Sequence, residues 1–384
     1  NDFYYDQYLT NDLSKTSFYR VSTSETSPIA HLIPGIGVLI AKLFGLIFFK
    51  GNPSIAFLLS FARFFSLLSY LTIGYFAIKL TPAFKKSFFA VLLMPMSIFL
   101  GSMVTYDNLL ISITALAVAS ILKLIYDKKE KFNNKWFIIF AVIGYILLNV
   151  KVIYAPILGL MLFIPNERFK NKDKKEKWKT YLLLGAVIIL ATILLKIPNL
   201  LLESAKNSDL YSKQLQYVLS HPLSYTKILL NNIRGQLIQQ LYWMVGTFGL
   251  LDTYLPPLFM FISFINLIIV FITDGISEKI KINYKQKIIV LLSFILGVVG
   301  MYTAMYLYWT VDVFGEVGGN TITGVQGRYF IPLLISLPLL FSNSIFNRNK
   351  KIFNFSKEYF NYSILIIIIC LTISMLVSIT RFWI

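Results

Sequence analysis

Charge is scarce in this sequence. Only 14% of its 384 residues are charged, where a soluble domain carries about 25%. Cysteine is nearly absent: Cys370 stands alone in the apolar run from Ile366 to Leu371, so no internal disulfide can form and the redox compartment stays open. The two histidines, His31 and His221, lie far apart, and no Cys/His metal spacing is present. Neither a phosphate-cradling Walker loop nor a dinucleotide fingerprint occurs, which argues against a nucleotide-driven pump unless a partner chain supplies the motor. No solenoid-type period and no low-complexity tract interrupts the chain. Acidic residues are half as many as basic ones, 18 against 36, giving a net charge of +18.

What remains is apolar. Hydrophobic residues make up 57% of the chain and aromatics 16%, with a mean hydropathy of +0.68. Water cannot host so much apolar surface, whereas a bilayer can. The composition therefore predicts an all-α integral membrane protein, one membrane domain over residues 1–384. The positive charge does not point to nucleic acid, because the basic residues sit in short loops between apolar runs.

A spanning helix needs about 20 mostly apolar residues. Clear candidates are 54–78, 87–104, 108–126, 180–196, 255–273, 288–309, 329–345 and 361–380. Two shorter segments, 136–148 and 152–164, flank Asn149-Val150-Lys151. Five loops, around Lys79–Lys86, Lys123–Lys135, Arg168–Lys179, Lys279–Lys287 and Arg348–Lys357, hold 23 of the 36 basic residues. The positive-inside rule makes them cytoplasmic, so the two short segments go out and come back. About ten spans follow. Parity leaves 1–53 as a first outer loop, with 28–49 an interfacial helix, and 197–254 as a large outer loop. Within the latter, Tyr211–Leu230 and Gly235–Leu251 read as surface helices.

Ionisable groups at membrane depth are costly and carry most of the functional information. Asp107, in Thr105-Tyr106-Asp107-Asn108, reads either as a working carboxylate or as a helix N-cap. Lys151 sits between two segments of about 13 residues, each roughly 20 Å long as α-helix. That places it on the floor of an outward cavity, suited to phosphate, unless it snorkels to the headgroups. Arg328, in Gly324-Val-Gln326-Gly327-Arg328-Tyr329-Phe330-Ile-Pro332, offers a planar fork for phosphate or serves as an interfacial anchor. Asp312 and Glu316 lie in the stretch from Trp309 to Gly327, which with its glycines reads as a mobile lid or as a plain solvated loop.

Several of these pieces together resemble the bacterial multi-spanning membrane family known as domain-of-unknown-function 2142. They are Tyr106-Asp107 opening a span, Lys151 followed by Tyr154-Ala-Pro156, and His221-Pro222-Leu223. Gly249-Leu-Leu-Asp252 before Leu255-Pro256 and Gln326-Gly327-Arg328-Tyr329-Phe330 with Pro332 complete the set. No single piece is specific; their order is moderately so. That family in turn resembles the GT-C superfamily of membrane glycosyltransferases. The resemblance implies a bacterial plasma-membrane protein with its active site facing outward. It implies a polyprenyl-phosphate-linked sugar as donor and a surface polysaccharide or teichoic-acid-like polymer as acceptor. It also implies a first span upstream of Asn1 and an acidic residue in the first outer loop acting as base or binding a divalent metal. Asp6, Asp12 and Glu25 are candidates beside Asp107, and Asp2 shares their loop, but none has the family's diagnostic context. On this reading Arg328 and Lys151 bind the donor phosphate, and Asp312, Glu316, Gln326 and Tyr329 form a substrate loop. The alternative is a lipid-linked-saccharide transporter or a non-catalytic envelope assembly factor.

Overall fold

The computed structural model describes residues 27–48, 53–200, 208–277, 280–342 and 350–383. It is a helical bundle in which seven helices are long and apolar enough to cross a membrane. Six coincide with expected spans: α2 (Ile55–Leu80), α5 (Tyr106–Tyr126), α7 (Lys174–Leu200), α10 (Pro257–Ser277), α11 (Tyr284–Ala304) and α15 (Lys350–Trp383).

The seventh is unexpected. α1 (Leu32–Phe48) is entered through a 3-10 turn at Pro28–His31, and the two together have the length and hydropathy of a span. From sequence it reads as a surface helix of the first outer loop; in the structure it runs antiparallel to the first half of α2. Gly37 faces Phe61 and Ala62, and Gly45 faces Pro53. The buried positions of α1 are Pro34, Gly37, Ala41 and Gly45. Small residues four apart form a smooth stripe on which another helix seats closely, a packing mode of membrane helices.

Proline breaks two other expected spans. In 87–104 the backbone divides into α3 (Lys85–Leu92) and α4 (Pro95–Gly101). In 329–345 it divides into a 3-10 turn (Gly327–Phe330), α13 (Ile331–Leu334) and α14 (Pro338–Phe341). α4, α13 and α14 each begin with proline in the first turn, where the missing N–H costs nothing. Of the paired short segments, α6 (Asn134–Val150) is α-helical but Val152–Phe163 is a 3-10 helix containing Pro156. Its 12 residues reach about 24 Å rather than the roughly 18 Å of an α-helix. In the large loop the break falls at His221-Pro222, between α8 (Ser208–Ser220) and α9 (Pro222–Gly246). A two-stranded hairpin follows, with Thr247 opposite Tyr254.

α5 is the hub. Nearly every side chain along it is buried, including Ser112, Thr114, Ala115, Ala117, Ala119 and Ser120. A helix apolar or small all round can sit inside a bundle and accept neighbours on every face. Asn108 ties its start to two neighbours, donating to Ser66 O at 2.7 Å and Gly101 O at 2.9 Å.

The basic stretches gather at one end. Tyr126 bonds to Lys281 O and Gln286, Phe132 N to Arg168 O, and Lys86 to Ser356. Several of these cations close helix ends. Arg168 donates to Leu124 O and Ile125 O at 2.9 and 3.3 Å, satisfying carbonyls that α5 leaves open, and to Lys128 O just past the helix at 2.8 Å. Lys177 does the same for Leu162 O and Ile164 O, and Lys287 for Leu340 O and Ser342 O. Conversely Asp274 accepts from Ser87 N and Oγ, both at 2.8 Å, at the start of α3.

Truncating Arg168 to alanine strips these bonds from a buried helix end. We expect a loss of about 2 kcal/mol, read as a lower thermal midpoint of the detergent-purified protein. Lys131→Ala, at an exposed position, should leave the midpoint unchanged.

Candidate functional site

At the end of the bundle opposite the basic stretches, three ionisable side chains come together. Asp107 is in the first turn of α5, where a carboxylate is favoured by the unsatisfied N–H groups of the helix start. It is not the N-cap; that position belongs to Thr105, whose side chain makes no capping bond. The Asp107 side chain is 3% exposed and its Oδ2 lies 3.5 Å from Arg328 Nε.

Arg328 projects from the 3-10 turn Gly327–Phe330 and its side chain stays 24% exposed. Lys151, at the junction of α6 and the 3-10 helix Val152–Phe163, completes the cluster. Its ammonium is not on an open cavity floor. It lies 3.6 Å from the centre of the Tyr329 ring and 4.5 Å from that of Tyr106. Cation–π attraction of this kind strengthens when water is excluded. Lys151 Nζ is fully enclosed and has no hydrogen-bond acceptor among the described residues. Arg328 also approaches the Tyr329 ring, with Cζ 5.4 Å from its centre.

The backbone holding these groups is cross-braced. Tyr154, fully buried, donates from its hydroxyl to Tyr329 O at 2.7 Å, fastening the 3-10 helix to the Arg328 turn. Gly327 lies against the backbone of Gln240, Trp243 and Met244 so closely that any Cβ would collide with it.

The stretch before Arg328 is not a loose lid. From Asn320 to Val325 it lies along α9 and is held by side-chain amides. Asn232 donates to Asn320 O and accepts from Ile322 N, each at 2.9 Å. Gln236 donates to Ile322 O at 2.8 Å and Gln240 to Val325 O at 3.1 Å. From α8, Gln214 accepts from Gly318 N at 2.9 Å and donates to Tyr306 O at 3.2 Å. Positions four apart on a helix rise about 6 Å, close to the roughly 6.6 Å of two residues in an extended chain. The three amides of α9 therefore act as a neighbouring strand would. They were missed in sequence, although Asn232, Gln236 and Gln240 recur four apart on one face of α9, because other polar residues of that helix (Lys227, Asn231, Arg234 and Gln239) mask the pattern.

The remaining candidates fall elsewhere. Asp312 is exposed on α12 (Thr310–Phe314) and accepts from Tyr211 at 2.7 Å. Glu316 is exposed in the stretch that follows. Gln326 is partly buried, and its carbonyl accepts from Tyr329 N at 3.0 Å. Asp2, Asp6, Asp12 and Glu25 lie outside the described residues. Among the described residues no group of three His, Cys, Asp or Glu side chains could hold a metal ion. Asp107 faces cations, which does not suit a metal ligand.

The fold and the cluster define a multi-pass α-helical membrane protein with an ion-paired site at the end remote from its basic loops. The chain belongs to the family described as Predicted membrane protein (DUF2142), whose model matches residues 3–337. No curated protein and no solved structure matches it.

Removing one rung of the amide ladder should loosen the Arg328 approach selectively. In Asn232→Ala the Ile322 amide loses its acceptor, and hydrogen exchange across 318–325 should speed up about tenfold for a bond of ~1.4 kcal/mol. Exchange in α5 should not change.

Proposed function

We propose that the chain is a GT-C-like membrane glycosyltransferase. It moves a sugar from a polyprenyl-phosphate donor to a surface polysaccharide or teichoic-acid-like acceptor. The reaction takes place on the outer face of the bacterial plasma membrane. The observation that carries this reading is the cluster of Arg328, Lys151 and Asp107. Two cations act on one carboxylate, and the Arg328 side chain remains 24% exposed, so that an anion can reach it. The basic loops collect at the opposite end, which by the positive-inside rule is cytoplasmic.

Arg328 grips the donor phosphate, since its planar fork matches two phosphate oxygens. Lys151, sheathed by Tyr106 and Tyr329, sits behind it and raises the local positive potential without touching the ligand. Asp107 is a positioning residue that orients the guanidinium. In the reaction an acceptor oxygen bonds to the anomeric carbon while the bond from that carbon to the phosphate oxygen breaks. Negative charge grows on the departing phosphate, and the fixed cations favour that change over the ground state. The acceptor proton passes to a carboxylate of the first loop, for which Asp6, Asp12 and Glu25 are the candidates. Among the described residues the cluster of one carboxylate and two cations does not suit a divalent metal.

The test is transfer of radiolabelled sugar from a polyprenyl-phosphate sugar to a polymer acceptor by the purified full-length protein. Arg328→Ala should lower the rate at least about 100-fold, the scale of losing one preorganised donor. Arg328→Lys should restore part of it, and Lys151→Ala should lower it less. Undiminished transfer in both alanine variants would sink the site assignment. No transfer with any donor, together with lipid scrambling in liposomes, would establish the transporter reading instead.

A further inference from the structure

Below the Arg328 turn, a cavity of about 390 Å³ opens between α10 and α11. These helices are consecutive, yet α10 packs mainly on α15 and α11 on the 3-10 helix Val152–Phe163. The gap between them is lined by Phe264, Phe271, Phe294, Val298 and Phe330, and is roofed by α9. Apart from Gln240 and Tyr302 the lining is wholly apolar. Leu237 and Phe341 on its rim are exposed, at 52% and 39%. The groove thus opens sideways between spans, toward the hydrocarbon of the bilayer.

Its roof is continuous with the charged cluster. Phe330, in the wall, is two residues from Arg328 and stacks at 6.5 Å on Tyr302. Gln240, in the roof, holds Val325 through its amide nitrogen, while its Oε1 is buried without a donor among the described residues. A cation near one end of an apolar groove matches an amphiphile with an anionic head, and with Arg328 read as a phosphate-binding group that head is a phosphate on a hydrocarbon chain. Aromatic walls leave irregular space, which methyl branches and double-bonded carbons fill better than a straight saturated chain.

We infer that this groove holds the first part of the chain of an isoprenoid lipid phosphate whose head lies at Arg328. The inference rests on the reading of Arg328 as a phosphate-binding group. A lipid slides in laterally between α10 and α11, and the turn at Gly327–Phe330 meets both its head and its tail.

The test uses the full chain in phosphatidylcholine nanodiscs with three photoprobes. These are farnesyl phosphate carrying a terminal diazirine, the corresponding farnesol, and a diazirine phosphatidylglycerol. Farnesyl phosphate should label residues within 264–271 and 294–302 of the wild-type protein, and phosphatidylglycerol should not. Filling the groove with Val298→Trp, or independently with Leu267→Trp, should lower that labelling about tenfold, the scale of overpacking a close-fitting site. Arg328→Ala should bring phosphate and alcohol probes to equal labelling. A phosphate preference that depends on Arg328 while the labels map outside the groove would overturn the tail site and leave the phosphate reading standing. Groove labelling that is equal for phosphate and alcohol in the wild type would do the reverse. Equal labelling by phosphatidylglycerol would mark the groove as a place for ordinary bilayer lipid and overturn the inference.

Discussion

A carboxylate and two cations buried together near the end of a membrane bundle constrain everything around them. Each charge is costly away from water, and their mutual attraction offsets that cost only when geometry is held. Asp107 and Arg328 come from segments more than 200 residues apart, so their meeting requires the bundle to be fully assembled. Lys151 arrives from a third segment and is screened by two tyrosine rings. Removing Asp107 would leave two cations at membrane depth without a counter-charge, so assembly of the bundle and integrity of the cluster depend on each other. The excess of one positive charge is the part that packing alone does not explain.

Holding that geometry demands irregular backbone, and irregular backbone inside a bilayer must find hydrogen bonds in the protein. The structure supplies them from side chains. Asn232, Gln236 and Gln240 serve the extended approach to Arg328. Arg168, Lys177 and Lys287 serve helix ends at the basic face. Basic residues at that face thus have two duties: some set topology from water, while others are drawn inward as caps.

The regular part of this architecture was legible in sequence because a bilayer imposes a fixed length and charge asymmetry. Six long spans and the single basic end could be read from apolar run length and lysine position. The broken segments were harder. Met94-Pro95, Pro332 and Pro338 interrupt runs whose hydropathy alone looks continuous, and the 3-10 form of Val152–Phe163 depends on tertiary contacts that no propensity encodes. The stripe Gly37–Ala41–Gly45 was visible, but its use against α2 was not, because acidic residues before it favoured a surface helix. Asp107, Lys151 and Arg328 could be picked out singly, as costly residues at membrane depth. Their pairing could not, and neither could the enclosure of Lys151, since ring contacts follow from packing rather than spacing.

The two halves of the site differ in what they require of the chain, and this explains where regularity is given up. The Arg328 turn is clamped by Gly327 against α9, by Tyr154 and by the amide ladder, the fixed placement that the proposed phosphate head would require of its donor. α10 and α11 stay regular and merely stand apart, which is all that the proposed hydrocarbon chain would require of them. The short pieces Gly327–Phe330, Ile331–Leu334 and Pro338–Phe341 join these demands. Their upper end positions a charge and their lower end backs an apolar groove. Phe330, Leu334, Leu337 and Phe341 keep the 4, 3, 4 spacing of one helix face and all line one wall, while the 3-10 turn Gly327–Phe330 carries Arg328 to the cluster.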